Sequence, residues 1–373
     1  MPARPALLRL GLVDFRCYAE LKLEIDAGMV VLHGPNGAGK TNLLEALSFL
    51  SPGRGLRRAR LAEVTRHGAG RGWSVAARVE TPYGLLELGT GLATEGERRV
   101  VRIDGKNAAG PAALAERMGV QWLTPQMDRL FLEGPSPRRR FLDRLVFGFD
   151  PDHARRVAGY ERLLRERARL LRDGPADPAW LNALETEMAG EGVAMAAARR
   201  QALARLDGAL ERADEGFPRP ILTLAGTVED WLETLPAVDA ELRFADVLRR
   251  NRGRDAESGG AGEGPHRSDL EVRDAATGIA AAQCSTGEQK ALLIAIVLAS
   301  ARIEAAERRA APILLLDEVA AHLDAERRQA LYDAVAALGG QAWLTGTDAG
   351  LFESLKGQAC FLAVRQARVT VEE

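Results

Sequence analysis

An α/β domain split in sequence by an inserted α-helical lobe is the fold predicted here, on three observations. Short β-rich runs fill the first third of the chain. A stretch rich in Ala, Leu, Arg and Glu with helical spacing fills the middle. A strand–helix alternation then resumes after a Gly-rich segment. The expected division is residues 1–135 plus 262–373 for the α/β domain and 136–261 for the lobe, which ends in a Gly-rich linker. At 373 residues there is room for two domains, or for one large domain carrying an insertion.

The elements follow in order. LLRLGLVDF (7–15), LKLEI (21–25) and MVVLHG (29–34) are short β-rich runs parted by charged or Gly turns. WSVAARVE (73–80), GLLELGT (84–90) and RRVVRI (98–103) continue them, with Asp104-Gly105 as turn chemistry. A short helix near 111–118 and a strand VQWLT (120–124) close the section. In the middle, 155–172 and 181–213 read as an antiparallel helical pair parted by the Gly-Pro-Ala-Asp-Pro stretch 174–178. The segment 251–265 reads as flexible and polar. After it come a strand, an STGEQ turn, a helix, the strand ILLLDE, a helix, AWLTG, a short helix and ACFLAV.

Composition excludes little and directs the search to local features. Hydrophobic content of 46% and charged content of 27% are ordinary for a soluble globular protein. A net charge of −2 does not advertise a nucleic-acid binder, so such a role must rest on patches. Five of the 50 basic residues are lysines (Lys22, Lys40, Lys106, Lys290, Lys356). Cys17, Cys284 and Cys360 have neither metal nor disulfide spacing, which suits a reducing compartment. The first residues make a poor signal peptide, and the longest apolar run, 291–299, is too short to span a bilayer. A cytoplasmic protein without a membrane partner is expected.

HGPNGAGKTNLLEAL (33–47) contains G-x-x-x-x-G-K-T after a strand and at the start of a helix. In the loop Gly34, Pro35, Asn36, Gly37, Ala38, Gly39, the three glycines let consecutive backbone N–H groups point inward as an anion nest, at the positive end of the helix dipole. Lys40 then reaches the β- and γ-phosphates of a nucleoside triphosphate, and the Thr41 hydroxyl ligates Mg²⁺. A plain Gly-rich turn is disfavoured because both flanking elements are of the right kind.

APILLLDEVAAHLDAERR (311–328) begins with an apolar run, as a strand buried on both faces does, and that run ends in Asp317-Glu318. Asp317 would orient the Mg²⁺ shell, and Glu318 would polarise the water that attacks the γ-phosphate. The bland alternative is a strand followed by an acidic helix cap. Asp324 either caps the next helix or lies in a loop at a dimer interface.

QCSTGEQKALLIAI (283–296) raises a further question, because a site with Lys40, Thr41, Asp317 and Glu318 does not need another phosphate contact from its own chain. A Ser-Thr-Gly turn opening a helix is nevertheless a second anion site, with the Ser285 hydroxyl and the Gly287 N–H as donors. It makes sense if it faces the γ-phosphate held by a second copy.

GPNGAGKT, STGEQ and LLLDE…HLD together resemble the ABC-type ATPases, in which a signature loop completes the active site of a partner. Within them the chain resembles the RecF family, through LVDFRCY, SPGRGLRRARLAEV (51–64), GPSPRRRFLDR (134–144) and GPHRSDL (264–270). The resemblance implies an ABC-type P-loop ATPase head with an inserted helical lobe, related to the heads of structural-maintenance-of-chromosomes ATPases but without long arms. It implies an ATP-driven homodimer, slow hydrolysis of ATP with Mg²⁺, binding to double-stranded DNA near single-strand gaps, and work with RecR and RecO to load RecA. Carried onto this chain, Ser285, Thr286, Gly287, Glu288 and Gln289 form the trans signature, Asp324 lies in the inter-subunit loop, and Gln126 senses Mg²⁺ and water.

Two departures stand out. Cys284 occupies a place where leucine is usual, and Thr347-Asp348 stands where transporter-type ATPases carry a switch histidine. Two dense basic runs are candidates for DNA contact: Arg54, Arg57, Arg58 and Arg60, then Arg138, Arg139, Arg140 and Arg144. Solvation of surface helices is the competing reading for each. His266 and Arg267 are open between a structural role and a place beside the nucleotide. The alternative functions are a nucleotide-binding subunit of an ABC transporter, and an ATPase-coupled nuclease, for which no second cluster of carboxylates is visible.

Overall fold

The structure is a computed structural model and describes residues 6–70, 72–92, 98–174, 177–211 and 216–372. Residues 1–5, 175–176 of the expected inter-helix stretch and 212–213 of the second expected helix lie outside the described residues. The chain divides into two compact units. One comprises Met1–Arg129, Arg212–Pro218 and Ser285–Glu373, and the other Leu130–Glu211 and Arg219–Cys284.

The first unit holds two six-stranded sheets. In one, Ala359–Arg365, Met29–His33, Ala342–Gly346, Ile313–Leu316 and Val120–Leu123 lie side by side and parallel. Arg368–Glu372 adds an antiparallel edge that the sequence pattern did not reveal. Ile313–Leu316 and Ala342–Gly346 are buried at every position, which explains their unbroken apolar runs. Because the strand Ala342–Gly346 lies between Met29–His33 and Ile313–Leu316, three carboxyl ends meet on one edge, where ligands of parallel sheets sit.

The second sheet is antiparallel, in the order Tyr18–Glu24, Ala6–Phe15, Ser74–Thr81, Gly84–Leu92, Arg99–Ile103 and Lys106–Asn107. Ser74–Thr81 alternates exposed and buried residues, as a one-sided strand should. The two sheets share one apolar core, in which Phe15, Phe49 and Trp73 have ring centroids 4.8–5.9 Å apart. A buried Gln341 stitches them: its Oε1 accepts from the Leu7 N–H at 3.0 Å, and its Nε2 donates to the carbonyls of Leu7 and Ala27.

The second unit is built around the long helix Pro178–Leu210, which packs against Pro135–Phe149, His153–Arg172, Thr227–Thr234 and Ala237–Arg250. Pairing of Arg162 with Glu187 and of Arg167 with Glu185 shows that His153–Arg172 runs antiparallel to it. The strand expected after the Gly-rich segment is Asp269–Asp274. It pairs with Pro220–Ala225, which the sequence pattern did not mark, in a two-stranded ribbon grouped with the helices.

The segment 251–265 corrects an expectation, because it is ordered rather than a flexible linker. Arg252–Ser258 is helical, and Asp255, 1% exposed, takes a hydrogen bond from Arg167 at 2.8 Å and from the Gly262 N–H at 3.0 Å. A buried carboxylate with those partners fixes a segment whose glycines alone would leave it loose.

Candidate ATP site

The loop after Met29–His33 is shaped by positive φ at Gly34, Gly37 and Gly39. A Cβ on Gly34 would stand 2.2 Å from the Val364 carbonyl oxygen, and one on Gly39 would stand 2.7 Å from the Tyr18 hydroxyl. Both positions therefore exclude a side chain on steric grounds as well as by φ. Tyr18 fastens the loop by donating to the Gly39 carbonyl at 3.1 Å, and the Ala367 N–H donates to the Ala38 carbonyl at 3.0 Å. The loop opens the helix Lys40–Ser48, so Lys40 and Thr41 stand at its first turn.

Lys40 is 4% exposed and donates from Nζ to the carbonyls of Gly34 at 2.6 Å and Pro35 at 3.0 Å. Burial lowers its pKa, while Glu318 and Asp317 pull the other way. The Thr41 hydroxyl donates to Asp317 Oδ1 at 3.0 Å, and the Thr345 hydroxyl to the same oxygen at 2.8 Å. Burial raises the Asp317 pKa, and the Thr345 and Thr41 hydrogen bonds oppose that only in part. Thr41 Oγ1 and Asp317 Oδ1 form an oxygen donor pair of the hard kind that suits Mg²⁺.

Glu318 sits at φ 51°, a left-handed conformation uncommon outside glycine, where the strand Ile313–Leu316 gives way to the turn Val319–His322. Its N–H donates to the Thr345 hydroxyl at 2.9 Å. Thr345 thus aligns both acidic residues. It was absent from the expected site, although a threonine near the end of the apolar strand AWLTG was the available signal. Asp348 caps the following turn by accepting from the Gly350 N–H. Gln126 lies exposed in the 3₁₀ turn Pro125–Arg129, directly after the strand Val120–Leu123.

Ser285 caps the helix Thr286–Arg308 in a full capping box. Its hydroxyl accepts from the Glu288 N–H at 3.3 Å, and its own N–H donates to Glu288 Oε2 at 2.8 Å. The Ser285 hydroxyl also donates to Glu288 Oε2 at 2.8 Å, and this bond, with that from the Ser285 N–H, lowers the Glu288 pKa. Ser285, Thr286 and Glu288 are exposed, Gly287 is half-buried and Gln289 is buried. Asp324 is exposed and caps Ala325–Leu338, accepting from the Arg327 N–H at 2.8 Å.

The two basic runs differ sharply. Arg54, Arg57, Arg58 and Arg60 are all exposed. Arg57 also donates to Asn42 Oδ1 at 2.6 Å and approaches Glu45, a carboxylate buried in the phosphate-loop helix and held by Arg16. In the second run, Arg138 makes a bidentate pair with Asp269, both bonds at 2.7 Å, and Arg139 donates to the Ser268 carbonyl. Arg140 is exposed and bonds Ser136, whereas Arg144 is drawn by burial down to about 9 and lies over the Phe141 ring. His266 is structural: it accepts from the Tyr160 hydroxyl, bonds the Ala261 carbonyl, and burial pushes its pKa down to about 4. Arg267 donates to the same carbonyl.

A split-sheet core with a Gly-rich phosphate loop, an Asp-Glu strand end and a capped signature turn defines an ABC-type P-loop ATPase head. A profile of the RecF/RecN/SMC N terminal domain matches residues 6–368. A protein of Rhizobium meliloti (strain 1021) named DNA replication and repair protein RecF is 50% identical over 374 residues, covering 99% of this chain and 100% of its own. A protein of the same name from Mesorhizobium japonicum is 49% identical, with 99% and 98% coverage. The chain belongs to the RecF family.

Among solved structures, the recombination mediator protein RecF-ATPrS in the RecFOR pathway aligns with TM-score 0.86 at 21% identity, covering 100% of both chains. An Smc head domain from Pyrococcus furiosus aligns with TM-score 0.55 at 15% identity, covering 99% of this chain and 96% of its own. These likenesses show the fold. Names shared by the relatives do not favour the ABC-transporter alternative. No helix among the described residues is long and apolar enough to cross a membrane.

Proposed function

We propose that this chain is a cytoplasmic, ATP-dependent DNA-binding protein of recombinational repair and replication-fork maintenance, with weak, DNA-stimulated ATPase activity. The observation that carries the ATPase reading is the convergence of Lys40, Thr41, Asp317, Thr345 and the Glu318 backbone around one strand edge. Lys40 and the loop N–H groups bind the phosphates, while Thr41 and Asp317 would hold Mg²⁺, which neutralises charge on the β- and γ-phosphates. Glu318 accepts a proton from the attacking water, and Gln126 orients that water.

The exposed cap at Ser285 serves a second copy. With Thr286 and Gly287 it meets the partner's γ-phosphate, so ATP joins two protomers into a clamp on double-stranded DNA beside a single-strand gap. Asp324 borders that interface. RecR and RecO act with the clamp to load RecA; the relatives' name and the RecFOR description of a structural neighbour support that assignment. The functional division into a split ATPase domain and an inserted lobe belongs to the same proposal, with residues 262–284 moved from the expected ATPase segment to the lobe, in line with the compact units.

Because half of each active site comes from the partner, turnover per subunit should rise with enzyme concentration and level off above the dimer dissociation constant. Steady-state ATPase assays over a wide dilution range check this, and a constant rate per subunit far below that constant would contradict it.

DNA contact is assigned first to Arg54, Arg58 and Arg60. Within the second run Arg138 and Arg139 are committed to the ribbon strand and its approach, leaving Arg140 as its exposed member. Replacing Arg54, Arg58 and Arg60 together with Gln should reduce the slope of log K against log salt by about 2–3, as expected for the loss of that many phosphate contacts. Fluorescence anisotropy on gapped duplex at several salt concentrations reads the slope, and an unchanged slope would remove the assignment.

A further inference from the structure

Lys290 lies in the helix Thr286–Arg308, just inside the turn that Ser285 caps. It is 5% exposed, and a lysine is rarely buried without a partner. Its Nζ stands 3.6 Å from Oδ2 of Asp128. Asp128 belongs to the 3₁₀ turn Pro125–Arg129 that also carries Gln126, so one ammonium ties the signature helix to that turn. Burial lowers the Lys290 pKa, while Asp128 and then Glu318 raise it. The pair is longer than the roughly 2.7–2.9 Å of a well-made charge-assisted hydrogen bond. A small shift of the helix can therefore tighten or release it.

We propose that Lys290 is a positioning residue that relays occupancy of the partner's nucleotide to the hydrolytic groups of its own protomer. The cap of its helix meets the partner's γ-phosphate, and the next turn holds Asp128 and, through it, the turn bearing Gln126. Coupling between the sites requires these two packed elements to shift together, and the Lys290–Asp128 pair is a link between them. The inference rests on the trans reading of Ser285.

The test uses the full chain with Lys290→Met, Lys290→Arg, Asp128→Asn and the double change Lys290→Met/Asp128→Asn. Lys290→Met and Asp128→Asn should each lower kcat about tenfold, by loosening the geometry of the attacking water. KM for ATP should stay within about twofold, since phosphate binding is untouched. Two ATP molecules closing one dimer should make the wild-type rate sigmoidal in ATP, and these variants should turn that dependence hyperbolic while sedimentation still shows an ATP-induced dimer. Lys290→Arg should restore most of the rate and the sigmoidal shape, and the double change should add little to either single one.

Unaltered kcat and curve shape in Lys290→Met, or additive losses in the double change, would overturn the relay while leaving the trans reading in place. A wild-type protein that stays monomeric with ATP would overturn both. If Lys290→Met alone fails to fold, Lys290→Arg and Asp128→Asn carry the same comparison.

Discussion

Glu318→Gln is expected to reduce ATP turnover by about two to four orders of magnitude, the range over which a positioned general base contributes. ATP binding should survive the change. Glu318 is held at φ 51° by the turn that follows the strand, and its N–H is fixed to Thr345, so glutamine can occupy the same conformation. The phosphate contacts are proposed for other groups, the Lys40 ammonium and the loop N–H groups, with Thr41 placed beside Asp317 for Mg²⁺. Single-turnover hydrolysis read beside equilibrium binding of a fluorescent ATP analogue separates the two effects. A turnover within a few-fold of wild type, or a parallel loss of binding, would move the general base elsewhere.

The largest expected effect on stability is that of Arg199→Met. Arg199, 2% exposed, donates from Nε and Nη2 to the two carboxylate oxygens of Asp143 at 2.8 and 2.9 Å, and from Nη1 to the Pro265 carbonyl at 2.7 Å. Removing one member of a buried pair leaves the other charge unpaired and costs about 3–5 kcal/mol. Urea denaturation followed by far-UV circular dichroism should show a loss of that size. Asp143→Leu in the Arg199→Met background should recover much of it, and a loss below about 1 kcal/mol would mean that water or His153 already compensates Asp143.

The sign of the pH dependence follows from the same pair. Burial pushes the Asp143 carboxyl up, but Arg199 and His153 outweigh it and leave its pKa well below the usual carboxylate range. A depressed native pKa contributes stability that is fully present above the unfolded-state value and is lost as pH falls toward the native one. Stability of the helical unit should therefore hold down to about pH 4 and decline below it.

The phosphate loop and the Asp-Glu strand end were readable because each is contiguous, with its chemistry and its flanking strand in a single stretch. The parallel strands were readable for the same reason, since burial on both faces writes an unbroken apolar run. What stayed hidden depends on partners far along the chain. Arg138 and Arg139 looked like a surface patch in an arginine-rich sequence, but their partners, Asp269 and the Ser268 carbonyl, lie 131 and 129 positions away. The Gly-rich segment looked loose because nothing local shows that Asp255 will meet Arg167, 88 positions away. Thr345 and Lys290 carry no motif; their places follow only once the strand order sets Ala342–Gly346 beside Ile313–Leu316 and the signature helix beside the turn after Val120–Leu123.

In the proposed dimer, the site that binds ATP in one copy is completed by Ser285 of another. Sedimentation velocity of Glu318→Gln, with and without ATP and Mg²⁺, beside Glu318→Gln carrying Ser285→Arg, tests it most directly. Loss of the Ser285 cap should cost the helix only about 1 kcal/mol, so the second protein should still fold. The expected result is a monomer that becomes a dimer with ATP in the first protein and stays a monomer in the second. A monomer in both, or a dimer indifferent to Ser285→Arg, would return residues 285–289 to a plain helix cap.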